Sequence, residues 1–254
     1  HQFAAMMPGY AEAANRSNVS AIVISQANCV PLDGLQTRFA AARNVTGRSC
    51  DQHTAQVLQA VPHLTSLKQV TIVADWLYYI SGDDGLRPRV PVRLGPLDGS
   101  PIDVGGQAEY VANAVENTVS HLKEQNLRVS VVRQVPRHPN FDAEIAARAA
   151  SPGAWLYQQM PALRIDVPLD DATARHAPSD EMFRGLAARG VIDYVNTWPA
   201  YCSETRCSAR SGLASDYITG SELTPSGALA LTPFLAEDLK RSRTHSSIDL
   251  AMRN

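Results

Sequence analysis

Four short runs of aliphatic and β-branched residues punctuate the chain: 18–25 (NVSAIVIS), 69–74 (QVTIVA), 128–135 (RVSVVRQV) and 191–196 (VIDYVN). Each is bounded by polar or turn-forming positions, and runs this short and continuous predict buried strands. Between them, helical patterns cover 52–67, 105–125, 142–150 and 179–189. The repeated strand-then-helix order predicts a three-layer α/β/α fold, with a mainly parallel sheet of at least four strands between two layers of helices.

The ends of the chain add two helices. Residues 3–15 carry Phe3, Met6, Met7, Tyr10, Ala11 and Ala14 on one helical stripe, with Pro8 restricting its start or bending it. That stripe reads as core packing rather than as a ligand-lining face. A last helix over 225–243 presents Leu229, Leu231, Phe234, Leu235 and Leu239 on its apolar side. Residues 83–106 and 151–176 read as long loops, which in compact domains are often functional. The tail 244–254 reads as frayed.

Composition bounds the partners. With 44% hydrophobic residues in 254 positions the chain buries one large core, so residues 1–254 read as a single domain. The 23 basic and 25 acidic side chains give a formal charge of −2, with no Lys/Arg cluster dense enough for a nucleic acid backbone. No stretch approaches the roughly 20 apolar residues of a membrane span, and the first residues do not read as a signal peptide. The chain opens with His1, so its N-terminus is read as a cut edge and any export signal is expected outside it.

Four cysteines fall into two neighbouring pairs, Cys29 with Cys50 and Cys202 with Cys207, without the spacing of a zinc site. Two local disulfides follow, with four separately buried thiols as the alternative. Bridges would imply an oxidising compartment.

Several pieces then fall in a familiar order. His1-Gln2-Phe3-Ala4-Ala5-Met6-Met7-Pro8 opens a Pro-containing helix. Asn28-Cys29-Val30-Pro31-Leu32 forms a Cys-x-Pro turn, and Cys50 opens a helix. A strand runs into Trp76 with Tyr79 behind it, Val135-Pro136 closes another, and Cys202 and Cys207 bracket a late loop. Leu223-Thr224-Pro225-Ser226-Gly227-Ala228 opens the last helix. Over nearly the whole chain this resembles the SGNH hydrolase-like domain of the branch fused to acyltransferase-three membrane O-acyltransferases. The resemblance implies an SGNH, flavodoxin-like fold. It sets the nucleophilic serine immediately ahead of His1 and leaves the family's first strand outside the sequence.

An SGNH site needs a serine deprotonated by a histidine, an aspartate orienting that histidine, and donors for the oxyanion. The family takes His and Asp from one Asp-x-x-His motif ahead of the last helix. Aligned on Leu223-Thr224, this chain has Thr219 at the Asp position and Glu222 at the His position. A carboxylate with a pKa near ~4.3 gives little drive to remove a serine proton, and threonine carries no charge to steady an imidazolium. Both catalytic positions are therefore degenerate.

Other residues offer themselves as substitutes. His53, His63 and His121 lie in helical patterns and read as surface histidines; His138 and His176 lie in loops, and His245 in the tail. Asp216 could supply an acid if the motif shifted, whereas Ser221 beside Glu222 reads as a polar turn. Trp76 and Tyr79, past a strand's carboxyl end, read either as lining for an acyl or sugar pocket or as core. Asn196 ends another strand and reads as a turn former. His1 is the residue following the family's serine, and its plainer role is a terminal residue.

By resemblance, the chain is the extracytoplasmic domain of an O-acyltransferase that moves an acyl group, usually acetyl, to a cell-surface glycan. The implied partners are that glycan, an acyl donor and a membrane-embedded acyltransferase domain in the same full-length protein. Its implied location is the periplasmic or extracellular face, tethered to the inner membrane. The competing reading is a non-catalytic glycan-binding or structural module derived from an SGNH esterase; a free-standing esterase fits the two cysteine pairs less well. No metal or nucleotide cofactor is implied, since Gly105-Gly106 alone does not make a phosphate loop.

Overall fold

A computed structural model describes residues 2–26, 29–39, 48–81, 92–96, 106–139, 141–149, 165–211 and 214–251. The chain runs α1 (Gln2–Ser17), β1 (Leu35–Phe39), α2 (Arg48–Ala60), β2 (Gln69–Ile72), α3 (Trp76–Ser81), β3 (Val92–Pro96), α4 (Gln107–Glu124) and β4 (Arg128–Val132). It continues through α5 (Ala143–Ala149), β5 (Asp166–Pro168), α6 (Leu169–Ala188), β6 (Asp193–Val195), β7 (Arg206–Ser208), β8 (Arg210–Ser211) and β9 (Ala214–Ser215). It closes with β10 (Tyr217–Thr219), β11 (Glu222–Leu223), α7 (Pro225–Leu229) and α8 (Thr232–Ala251). Asn18, Asn126 and Gly190 follow α1, α4 and α6 in the left-handed region, at φ 50°, 57° and 71°. Asn and Gly tolerate this conformation best, and it stops a helix.

The central sheet is parallel, in the order β2-β4-β6. Alternation along β4 explains its two covered faces. Val129 and Val131 join Ile72 in the core beneath α3, α4 and α6. Val132 faces the other way, into the cluster that includes Met6 and Ala13 of α1, Ala228 of α7 and Leu235 of α8. Ser130, on that second face, donates to Asp238 of α8 at 2.9 Å. Asp238 also takes Arg128 at 2.8 Å and Gln69 at 2.5 Å, so a buried carboxylate binds two strands to α8 with its charge compensated.

Two glycines let the second layer close. A Cβ on Gly9 would run into the Ala228 carbonyl, and one on Gly227 into the Asp216 carbonyl, so backbones meet at positions where only hydrogen fits. Cys29 is bonded to Cys50 and Cys202 to Cys207.

The structure departs from the sequence reading in several places. The described parallel sheet has three strands rather than at least four. Among the described residues, 19–26 join no ladder, and Ile22, Val23 and Ile24 are 66%, 44% and 49% exposed. A β-branched run becomes a strand only where a neighbour satisfies its backbone groups. Within 151–176, read as loop, β5 and the first half of α6 are ordered structure. Pro168 precedes α6, and Asp170 and Asp171 sit in its first turn where the helix dipole favours them; Pro178 lies inside it.

Within 83–106, β3 pairs antiparallel with β1 from Leu35↔Pro96 to Phe39↔Val92. The helix read over 225–243 is two: Thr224 caps α7 by accepting from Gly227 N at 3.0 Å, and α8 starts afresh at Thr232. The tail read as frayed continues α8 to Ala251. Among the described residues no helix is long and apolar enough to cross a membrane.

Candidate functional site

In an open α/β sheet the crevice lies past the carboxyl ends of the strands. Here those ends are tied by polar side chains. After β4, Gln134 accepts from Leu77 N at 2.8 Å and donates to Asp75 at 2.9 Å, joining the segments that leave β4 and β2. Arg137 pairs with the same Asp75. Arg133 is bonded to Asp180 of α6 through Nε at 3.0 Å and again through Nη2, and reaches Asn196 Oδ1 at 3.0 Å. Its guanidinium lies 3.5 Å over the Trp198 ring. Trp198 donates its indole N–H to the Gln134 carbonyl at 2.8 Å, closing the circuit with the segment leaving β6. Tyr194 O–H, 2.7 Å from Asp180, is deep in this network; burial foremost, then the Asp180 charge, push its ionisation far above the ordinary tyrosine range.

Thr219 and Glu222, expected at the relay positions, lie on the adjoining two-stranded ladder. Thr219 of β10 faces Glu222 of β11, and Thr219 also bridges to Asp142 at the start of α5. The His138 amide donates to the Gly220 carbonyl at 2.8 Å, so the segment leaving β4 is pinned to this turn. Met6 of α1 shares a core cluster with Leu223, placing the first turns of α1 against β11. Glu222 and Thr219 are half-buried.

His138 is fully buried, 4.6 Å from the Tyr217 ring and 6.5 Å from Phe141 between centroids. Burial lowers its pKa to about 4, against the opposing pull of Asp166 and the Ile165 carbonyl. His176 is lowered to about 3, by burial first and then by the nearby guanidinium groups. Neither ring is charged near neutral pH.

Trp76 and Tyr79 are buried in the core: Trp76 is 0% exposed, donates to the Val132 carbonyl at 3.2 Å and stands edge-on to Phe183 at 4.6 Å. Tyr79 is 5% exposed, and its carbonyl accepts from Gln107 at 2.6 Å. Asn196 faces Arg133 and accepts from Trp198 N at 3.2 Å. Asp216 and Ser221 are buried, Asp216 with its carbonyl accepting from Thr224 N at 2.9 Å. His53 is half-buried, and His63 and His121 are exposed. His1 and the His245 side chain lie outside the described residues.

Sequence reasoning missed Asp75, Arg133, Gln134, Arg137, Asp180 and Trp198 as a connected set. One signal was present: Arg133-Gln134 and, shortly after, Arg137 follow Val131-Val132 at the end of a buried strand, where charge has no place unless it is paired.

With this geometry in view, the comparisons identify the class. The model of the SGNH domain (fused to AT3 domains) matches residues 2–237, and the chain belongs to that family. Among solved structures it is similar to the lipopolysaccharide acetyltransferase periplasmic domain of Salmonella ser. Paratyphi A, at 14% identity and a TM-score of 0.57, over 92% of this chain and 78% of that one. That likeness establishes the shared fold. No curated protein gives a significant match.

Proposed function

We propose that this chain is the extracytoplasmic SGNH domain of an O-acyltransferase that acetylates a cell-surface glycan, with its proton relay altered. Membership of the family fused to AT3 domains carries the reading. The structural neighbour is itself an acetyltransferase domain acting on lipopolysaccharide, which supports a glycan acceptor. Two disulfides support an oxidising, extracytoplasmic setting, and a membrane-embedded acyltransferase domain would be the partner in the full-length protein.

Thr219 and Glu222 at the relay positions favour a second role, in which the domain holds glycan rather than turning over an acyl-serine. A Glu–Thr pair supplies neither the imidazole base nor its orienting carboxylate. Trp76 and Tyr79, buried behind the strand ends, would then stiffen the crevice from within instead of touching sugar. The test is the O-acetyl content of surface polysaccharide in cells carrying the full-length protein or a version lacking residues 1–254. Loss of acetyl groups on deletion supports the acyltransferase assignment; unchanged acetylation overturns it.

A further inference from the structure

Asn196 directly follows β6, at the carboxyl end of the parallel sheet, and is exposed. Its Oδ1 accepts twice, from Arg133 Nη1 at 3.0 Å and from the Trp198 amide at 3.2 Å. Both neighbours can only donate, which settles the orientation of the side chain: oxygen toward the protein, NH2 group away from both donors. That nitrogen donates to no described residue. Gln134, the other amide of the circuit, is engaged at both its ends, accepting from Leu77 N and donating to Asp75.

A turn alone asks for less than this. The bond from Trp198 N, two residues on, is the one a turn-forming Asn makes. The bond from Arg133 comes from the exit of β4, 63 residues away, and Arg133 is itself held by two bonds to buried Asp180 and by the Trp198 ring 3.5 Å away. Taking a guanidinium and a carboxylate out of water is costly and contributes little net stability. Such bracing suits a polar group that must act in one direction. Asp180 cancels the Arg133 charge within the protein, so the group presented is a neutral donor, matched to a neutral oxygen rather than to an ion.

We infer that Asn196 is a sugar-recognition residue positioned by Arg133 and Trp198, and, resting on the glycan-acetylation reading above, that its NH2 group donates to a neutral oxygen of the acceptor glycan. Ligands of open α/β sheets lie past the carboxyl ends of the strands, the level at which Asn196 stands. A sugar hydroxyl and the carbonyl of an acetamido substituent both supply such an oxygen. Because the side chain is ordered before the sugar arrives, binding does not have to fix it.

The test is titration of the ¹⁵N-labelled, disulfide-intact chain with N-acetylglucosamine or glucose, following the Asn196 NH2 and Trp198 amide signals. Both move saturably, with a midpoint of about 1–10 mM, while the NH2 signals of Asn113, exposed on α4, stay still. A response to N-acetylglucosamine alone assigns the oxygen to the acetamido carbonyl; an equal response to glucose assigns it to a hydroxyl. Asn196→Asp retains the oxygen that Arg133 and Trp198 hold and loses the donor. Its Tm is therefore kept, while the midpoint read at the Trp198 amide rises at least about tenfold. An unchanged midpoint in this variant confines Asn196 to accepting and overturns the proposal, as does the absence of a saturable shift with either sugar in the unmodified chain. Should the variant fail to fold, the Asn196 NH2 signals of the unmodified chain decide. Sugar binding with surface acetylation unchanged on deletion of residues 1–254 would overturn the proposed function alone; loss of acetylation without a saturable shift would overturn this inference alone.

Discussion

The amide of His138 donates to the carbonyl of Gly220 at 2.8 Å, so the segment leaving the central strand is tied to the turn bearing Thr219 and Glu222. Those two residues stand at the proposed relay positions.

The close approach of α1 and α7 gives the first prediction. Gly9→Ala drives a methyl group into the Ala228 carbonyl, where backbone cannot yield as a flexible side chain would. Overpacking of this kind destabilises by about 1–3 kcal/mol. Urea unfolding should show a lowered midpoint with an unchanged slope; an unaltered midpoint would mean that the two helices are not in contact at Gly9.

The disulfides should differ in weight. Cys29 and Cys50 are 21 residues apart and Cys202 and Cys207 only 5, and loop-closure entropy predicts stabilisation of about 3 and about 2 kcal/mol respectively. Replacing Cys29 and Cys50 together by Ser is therefore expected to lower Tm more than replacing Cys202 and Cys207. The reverse order would show that the short bridge does more than close a loop, by holding Trp198 and Val167 in their small core.

Acid should weaken the fold through its two buried histidines. His138 titrates at about 4 and His176 at about 3 in the folded chain, below the ordinary value near ~6.5 that applies when unfolded. Their folded pKa values are depressed, so the unfolded chain binds more protons at mildly acidic pH. Stability is full above about pH 6.5 and is lost as pH falls toward about 4, each ring contributing up to ~1.4 kcal/mol per pH unit. Unfolding free energies measured across this range should drop with acid, and His138→Phe should flatten the slope. A slope unaffected by that change would contradict the buried neutral state of His138.

How far these features were legible in the sequence follows from what each depends on. The strands of the parallel sheet were legible because 69–74, 128–135 and 191–196 are apolar runs whose partners lie within the chain. The run at 18–25 has a similar composition but joins no ladder among the described residues, and composition does not encode pairing. The first half of α6 was hidden by its polar sequence Asp170, Asp171, Thr173, Arg175, His176 and by Pro178, all of which read as loop. β3 was hidden by the prolines around it.

Thr219 and Glu222 were singled out because a local motif, Leu223-Thr224 onward, flanks them. The circuit of Asp75, Gln134, Arg133, Asp180 and Trp198 was not, since its partners are 47 to 64 residues apart and only folding brings them together.

The altered relay is tested most directly by p-nitrophenyl acetate hydrolysis in the full-length protein, unmodified and with Thr219→Asp and Glu222→His combined. The account predicts turnover near background in the unmodified protein and a rise of at least about 100-fold in the double variant, the usual worth of a positioned general base. Robust turnover by the unmodified protein, undiminished when Glu222 is changed to Gln, would contradict it and require a base elsewhere.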